Sequence, residues 1–151
     1  MTSDSQNRLL TFEIGSSLFA LPIEGVHEVA EVAELACIPT LSRDVAGVIN
    51  YRGDALPVVR RERLLEPGAG ALDAPQHVLV ISDRPSSPPC LGLEVDRVLG
   101  LVDGQPSVNG RGSEPVAERR PHDGRLLQVV DPPRLVARAR KVIEDALARG
   151  E

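Results

Sequence analysis

Aromatic side chains are scarce in this sequence. They make up 2% of its 151 residues and tryptophan is absent, so few rings are available to stack on nucleic-acid bases. Cations are also in the minority: 17 Lys and Arg stand against 22 Asp and Glu, which gives a formal net charge of −5. Nucleic-acid-binding proteins usually carry the opposite charge, because they neutralise phosphates. The composition therefore argues against nucleic acid as a partner.

Cysteine is limited to Cys37 and Cys90, and neither has a second cysteine two or three residues away. This spacing predicts neither a zinc site nor a disulfide scaffold, and it favours a reducing compartment. The segment 1–8 is polar and lacks the pattern of a signal peptide, and no apolar run approaches the roughly 20 residues that span a bilayer. We therefore expect a cytoplasmic protein with a disordered lead at 1–8 and no direct membrane insertion.

Short apolar runs bounded by Gly, Pro, Ser and Asp predict β-strands. Because 13 Gly and 13 Pro separate these runs, they favour barrels or a sandwich. The predicted strands are 9–14, 18–21, 45–51, 55–59, 77–81, 91–95 and 125–130, with a weakly signalled strand around Val116. Loops are expected at 66–75 and within 103–121.

Only the end of the sequence has helical periodicity. Apolar residues recur there with a spacing of three to four residues, at Leu135, Val136, Ala139, Val142, Ile143, Ala146 and Leu147. Pro132 and Pro133 suit a helix start, and Gly150 suits a helix end. The pattern predicts a C-terminal helix over about 132–149.

The sequence also repeats itself. Segment 19–29 aligns with 91–101, segment 53–59 aligns with 124–130, and an Arg-Leu pair follows each second block. The repeat predicts a single domain over 9–149. Within it we expect two related β subdomains, at about 9–70 and 76–131, each a small barrel of about five strands. Chance similarity between short aliphatic strings is the alternative interpretation.

A search for catalytic chemistry finds no convincing nucleophile with a base, metal cluster or phosphate loop. His27-Glu28 lacks the second histidine of a metalloprotease helix, since position 31 is Glu. A catalytic thiol at Cys37 would need an electropositive neighbourhood and a paired histidine. We predict no enzyme activity, no catalytic residue, no metal and no cofactor. A small β-barrel hydrolase or ligand-binding protein that uses His27, Glu28 or Cys37 is the remote alternative.

Two motifs carry a family resemblance. Residues 47–53 read Gly-Val-Ile-Asn-Tyr-Arg-Gly, followed by Leu-Pro-Val-Val at 56–59, and residues 23–29 read Ile-Glu-Gly-Val-His-Glu-Val. With these motifs the chain resembles the CheW-like domain, the coupling module of bacterial chemotaxis, over about 10–147. The resemblance implies a mainly β fold of two small five-stranded SH3-like β-barrel subdomains around a shared core, with a C-terminal amphipathic α-helix. It also implies a helix turn at 23–29.

The same resemblance implies a function in two-component signal transduction. The chain would be a non-enzymatic adaptor between the signalling tip of a methyl-accepting chemoreceptor and the regulatory domain of a CheA-type histidine kinase, recruited to membrane-associated receptor arrays. The receptor would bind a groove between the barrels, formed by Val26, Glu28, Val29, Gly47, Asn50, Arg52, Gly53, Gly92, Val98 and Leu101.

Arg52 is the principal candidate in this groove. It would either pair with a receptor carboxylate or hold its own loop by hydrogen bonds to carbonyl groups, and the sequence leaves both roles open. For Gly47 and Gly53, turn geometry is an alternative to partner contact.

The sequence departs from the family after the strand at 55–59. The family usually continues Asp-Leu-Arg, whereas this chain has Arg60, Arg61 and Glu62; the second half keeps the acidic residue as Asp131. We expect Arg60 and Arg61 to form an atypical surface on a solvated helix turn. A reversed charge there would oppose some partners. This favours, as an alternative, a divergent paralogue that binds only the receptor or only the kinase.

Overall fold

A computed structural model describes residues 8–34, 37–39, 43–66, 74–106 and 112–150. The predicted lead at 1–8 falls almost entirely outside these residues, as does most of the predicted loop at 66–75. The described elements are β1 (Arg8–Ile14), β2 (Ser17–Pro22), β3 (Val26–Glu31), β4 (Cys37–Pro39), β5 (Val45–Tyr51), β6 (Asp54–Val59), α1 (Arg61–Leu64), β7 (His77–Ile81), β8 (Leu91–Val95), β9 (Arg97–Asp103), β10 (Val116–His122), β11 (Arg125–Val130) and α2 (Pro132–Ala148).

The strands form two sheets. One has five strands in the order β10-β11-β2-β1-β9, and the other has six in the order β3-β7-β8-β6-β5-β4. The predicted mainly β fold with a C-terminal helix is confirmed. Among the described residues, however, strand pairing closes neither sheet into a complete barrel.

Each sheet draws strands from both halves of the chain. Strands β1 and β2 join β9, β10 and β11, while β7 and β8 join β3 to β6. The chain passes between the sheets at the 3-10 turn Ile23–Gly25 and again at Asp96. The ranges 9–70 and 76–131 therefore describe the two copies of the sequence repeat. They do not describe the two sheets, because strands from both ranges pair within each sheet.

The repeat reappears in the strand order. Without the short edge strand β4, the second sheet reads β5-β6-β8-β7-β3, which matches the first sheet under the sequence alignment. The two parallel pairings agree even in register: Val129 faces Ala20 between β11 and β2, and Val58 faces Gly92 between β6 and β8. Since Val129 aligns with Val58 and Ala20 with Gly92, the structure supports an internal repeat.

Three apolar clusters hold the sheets. A small cluster including Leu127 and Val129 belongs to the five-stranded sheet, and one including Leu56 and Val58 belongs to the six-stranded sheet. A larger cluster combines residues from both sheets and from α2, among them Phe12, Phe19, Leu21, Leu79, Leu93, Leu135 and Val142. Burying each such side chain contributes roughly 1.5–3 kcal/mol. The shared core expected from the resemblance is therefore present.

Helix α2 is fixed at both ends. Asp131 caps its start, because Oδ2 accepts a hydrogen bond from the Arg134 N–H at 3.3 Å. At the far end, Arg149 Nη2 lies 2.6 Å from Asp44 Oδ2, and Arg63 Nε lies 3.0 Å from the other oxygen of Asp44. These contacts join the helix to α1 and to the segment before β5.

Two local predictions were less accurate. The weakly signalled strand around Val116 exists as β10, but it extends to His122, so the loop predicted within 103–121 is shorter than expected. Segment 23–29, for which the resemblance implied a helix turn, is a single 3-10 turn followed by strand β3. β3 pairs with β7, and sheet pairing therefore overrides the local turn pattern.

Candidate partner-binding site

The candidate site centres on the tight turn between β5 and β6. Arg52 and Gly53 form a two-residue loop in which both backbone φ angles are positive, 51° and 89°. Asn50 supports the loop, since its Oδ1 accepts a hydrogen bond from Gly53 N–H at 3.0 Å. This turn type matches the twist of a hairpin and favours Gly, Asn or Asp. It holds the Arg52 side chain out into solvent, 77% exposed.

The second half of the repeat provides an internal comparison. Its equivalent turn consists of Asp123 and Gly124, with φ angles of 49° and 78°. Asp adopts a positive φ readily, whereas a long side chain such as that of Arg52 does so at a cost of roughly 1 kcal/mol. Turn geometry therefore does not explain an arginine at position 52.

Two side chains flank the guanidinium of Arg52. The Tyr51 ring centroid lies 5.1 Å from Arg52 Cζ, within the range of a cation–π contact. Glu28, on β3, places Oε1 3.8 Å from Arg52 Nη2, an ion pair longer than a hydrogen bond. Such an exposed pair contributes only about 0–1 kcal/mol, so Glu28 holds Arg52 weakly.

Tyr51 connects this surface to the core. Its side chain is buried in the cluster of the six-stranded sheet, at 6% exposure. Burial raises the pKa of Tyr51 above its ordinary value, hydrogen bonding to the Glu28 carboxylate raises it further, and the Arg52 guanidinium acts in the opposite direction. The hydroxyl therefore keeps its proton at neutral pH.

The apolar candidates divide into two kinds. Val29 on β3 and Leu101 on β9 are exposed, at 39% and 48%, on edge strands of different sheets. Val26 and Val98 are half-buried and pack against the shared core. Val29 aligns with Leu101 and Val26 with Val98 in the repeat, so both halves present one apolar residue and bury the other.

Two glycines predicted in the groove are buried. A Cβ on Gly47 would lie 2.4 Å from the Ile38 carbonyl oxygen, so Gly47 allows β4 and β5 to approach closely. A Cβ on Gly92 would lie 3.1–3.3 Å from side chains packed inside the six-stranded sheet. Packing inside the domain gives both glycines a structural role, and their contact with a partner stays a prediction. Gly53 has open space around it and serves the turn.

Of the two cations predicted to form an atypical surface, Arg60 is partly exposed and Arg61 is not. Arg61 is buried, and its Nε lies 3.0 Å from Asp96 Oδ1 in an ion pair. Arg60 is half-buried, and its Nε donates a hydrogen bond to the Arg43 carbonyl oxygen at 2.8 Å. The buried ion pair takes the place of the apolar anchor expected at position 61, and α1 is not a fully solvated turn.

The residues of the hydrolase alternative do not form a catalytic group. His27 contacts the Ser87 carbonyl oxygen through Nε2 at 3.0 Å, and Glu28 faces Arg52. Burial and the Glu94 carboxylate raise the pKa of the Cys37 thiol, which disfavours the nucleophilic thiolate. Among the described residues, no cluster of three or more His, Cys, Asp or Glu side chains could hold a metal ion.

Sequence reasoning missed Tyr51 and Asp96. Tyr51 is the only tyrosine in the chain and stands within the Asn-Tyr-Arg-Gly motif, which was an available signal. Asp96 gave no local signal, because its partners Gly15 and Arg61 are distant in sequence. Within the described part of the chain, no helix is long and apolar enough to cross a membrane.

Comparison with known proteins agrees with this arrangement. The family model for the CheW-like domain matches residues 8–140. The chain is 28% identical over 107 residues to the chemotaxis protein CheW of Treponema pallidum (strain Nichols), which covers 66% of this chain and 59% of that protein. It is 31% identical over 94 residues to the chemotaxis protein CheW of Thermotoga maritima, with 62% and 60% covered. The matches thus span about three fifths of the length of these relatives.

A solved structure shares the fold. The scaffolding protein TtCheW from Thermoanaerobacter tengcongensis superposes with a TM-score of 0.62 at 20% sequence identity. The superposition covers 83% of this chain and 88% of that one. The two-sheet architecture is therefore an established fold.

Proposed function

Because the chain belongs to the CheW-like domain family, we propose that it is a non-enzymatic adaptor in chemosensory signalling. In this role it couples the signalling tip of a methyl-accepting chemoreceptor to the regulatory domain of a CheA-type histidine kinase. It works in the cytoplasm at receptor arrays and performs no chemistry of its own. The names of the relatives, chemotaxis protein and scaffolding protein, support this proposal.

The observation that carries the proposal is Arg52 in its strained turn. The structurally equivalent turn has Asp123, so the fold does not require arginine there. The guanidinium is exposed and only weakly paired with Glu28. Its planar fork of donors suits a carboxylate on a partner helix. Of the two roles that the sequence left open, the partner contact is the one we propose.

Val29 is exposed on the same strand as Glu28 but lies on the other face of the sheet. Successive residues of a strand point to opposite faces, and Glu28 pairs with Val80 whereas Val29 pairs with Leu79, which belong to different apolar clusters. The proposed contact therefore depends on Arg52 and does not include Val29.

The divergent paralogue remains the second candidate. It depends on a reversed charge at the surface formed by Arg60 and Arg61. Burial of Arg61 reduces this altered surface to the half-buried Arg60. We therefore favour the adaptor that binds both partners.

Calorimetric titration with a receptor signalling-tip fragment tests the proposal. We expect the wild type to bind and Arg52→Asn to bind at least tenfold more weakly, because a charged contact to a partner is worth about 1.5–3 kcal/mol. Asparagine accepts the positive φ, so this variant keeps the turn. Arg140→Gln, which removes an exposed cation from α2, is the matched control and should bind normally. Equal binding by Arg52→Asn and wild type would reject the proposed contact.

A further inference from the structure

A groove opens on the five-stranded sheet beside the turn between β10 and β11. Its volume is about 350 Å³. The residues around it include Thr11, Leu18, Leu99, Val102, His122 and Asp123. Arg52, Glu28 and Tyr51 line no part of it. The groove is therefore separate from the surface around Arg52.

The internal repeat explains why this groove is open. The equivalent place on the six-stranded sheet holds Glu28 and Tyr51, which correspond to Gly100 and His122. Tyr51 and His122 each form the last strand pair before their turn. Gly100 has no side chain, and a Cβ added there would meet nothing within 4 Å. The His122 side chain is 33% exposed, whereas Tyr51 is buried. The chain fills one of the two equivalent places with its own side chains and leaves the other open.

The two equivalent turns also carry opposite charges. Arg52 places a cation at one turn, and Asp123 places a carboxylate, 91% exposed, at the other. The contact of Asp123 Oδ2 with His122 Nε2 is 3.5 Å, longer than a normal hydrogen bond. Arg125, which also lines the groove, is paired with Glu13 at 2.8 Å. The rim of the groove therefore presents an exposed negative charge.

Apolar side chains lie next to this carboxylate. Leu18 and Val102 belong to the small cluster of the five-stranded sheet and line the groove. Leu99, the extra residue of a β-bulge in β9, is 48% exposed and lines it too. A lysine or arginine side chain matches both features, because its aliphatic stem packs on apolar surface while its charged end pairs with a carboxylate. An acidic side chain would be repelled by Asp123.

We propose that this groove is a second protein-binding site, which takes a lysine or arginine side chain of the kinase regulatory domain. The inference rests on the proposed function, in which the receptor tip occupies Arg52. An adaptor that holds two proteins at once needs two surfaces that do not overlap. Opposite charges at the two turns favour a different partner at each, since a like charge is repelled.

Asp123→Asn tests the charge of the groove. Asparagine also accepts a positive φ, so this variant keeps the turn. In calorimetric titration we expect it to bind the kinase regulatory domain about tenfold more weakly than the wild type, the usual effect of losing a contact to a charged group. Its binding to the receptor signalling-tip fragment should not change. Asp103→Asn is the matched control, because Asp103 is 99% exposed and lies outside the groove. Equal binding of the kinase domain by Asp123→Asn and wild type would overturn the inference.

His122→Tyr tests the cavity and leaves the charge in place. It supplies the ring that Tyr51 provides on the other sheet, so the groove should be filled while Asp123 remains. We expect several-fold weaker binding of the kinase regulatory domain, with a melting temperature by circular dichroism that is unchanged or higher. His122→Gln, which keeps a small polar side chain, should bind as the wild type does. If His122→Tyr bound the kinase domain as tightly as the wild type, no partner side chain would enter the groove, and the inference would be wrong.

A comparison of the two turns distinguishes this inference from the proposed function. Arg52→Asn should bind the receptor fragment weakly and the kinase domain normally, the reverse of Asp123→Asn. If both variants lost the same partner, one surface would serve that partner and the assignment of the groove would fail. If the wild type bound neither fragment, the proposed function would fail, and the inference with it.

Discussion

Arg61 Nε lies 3.0 Å from Asp96 Oδ1, and both side chains are almost fully buried, at 7% and 8% exposure. Asp96 is the point at which the chain crosses from one sheet to the other between β8 and β9. Its second oxygen accepts a hydrogen bond from Gly15 N–H at 2.8 Å. One carboxylate thus joins α1, the turn between β1 and β2, and the crossing point.

Arg61→Met should destabilise the domain by about 3–5 kcal/mol, because it leaves the Asp96 carboxylate buried without its counter-charge. Arg140→Met, at an exposed position of α2, should change stability by less than about 0.5 kcal/mol. Urea unfolding of both variants measures the difference. If Arg61→Met were as stable as Arg140→Met, the interior position of the ion pair would be contradicted.

Gly92→Ala should destabilise the domain by roughly 1–3 kcal/mol, because the added methyl group overpacks the six-stranded sheet. The new Cβ would lie 3.1 Å from Val58 and 3.2 Å from Ile49. Gly124→Asn is the control: its position is open and its positive φ suits asparagine. Thermal unfolding followed by circular dichroism should show a lower midpoint for Gly92→Ala alone, and equal midpoints would contradict this packing.

Glu94→Gln should stabilise the protein at neutral pH. Burial raises the pKa of Glu94 despite the nearby cations of Arg61 and Arg60. Between the ordinary carboxylate pKa of about 4.3 and the raised value, the folded state holds a proton that the unfolded state has lost. The contribution of Glu94 to the stability of the wild type is therefore fully present below that pH window and is lost as the pH rises through it.

The advantage of Glu94→Gln over wild type should accordingly be absent near pH 4 and grow with rising pH until it levels off. Urea unfolding at a series of pH values measures it. Glu144→Gln, on the exposed face of α2, should show no such trend. An advantage that shrinks with rising pH would mean that the cations, and not burial, dominate the environment of Glu94.

Cys37 should react slowly with iodoacetamide near neutral pH although it is exposed. Partial desolvation of the thiol and the Glu94 carboxylate both raise its pKa, and the thiolate is the reactive form. In a Cys90→Ser background, the rate of alkylation should rise at a higher pH than the rate for a free thiol, whose ordinary pKa is about 8.5. Addition of Glu94→Gln should shift the profile to lower pH. A fast reaction at pH 7 would contradict the predicted environment.

Much of the fold was predictable because its signals are local. Short apolar runs predicted β1, β7 and β11, and the helical spacing predicted α2 to within a residue or two at its ends. The aligned repeat is visible in the matching strand orders of the two sheets, although no strand order was predicted from it. The exchange of strands between halves was not predictable. The chain crosses between the sheets at residues 23–25 and at Asp96, and the local sequence there does not indicate which sheet the next strand will join.

The site was only partly predictable for a related reason. Arg52, Glu28 and Asn50 were predicted, and the structure brings them to one turn through an ion pair and a turn hydrogen bond. The burial of Gly47, Gly92 and Arg61 was not predictable, since burial depends on neighbours from distant segments. Arg61 looked like a surface cation because its partner Asp96 is 35 residues away. A charge that is buried with a remote partner has no local signature.

The most direct test of the adaptor function is whether this protein joins the receptor to the kinase. A receptor signalling-tip fragment immobilised on a sensor surface is exposed to the kinase regulatory domain, with and without the purified chain. We expect the chain to increase capture of the regulatory domain and the Arg52→Asn variant to do so only weakly. Capture that does not depend on the chain, or a chain that binds one fragment and excludes the other, would contradict the adaptor function.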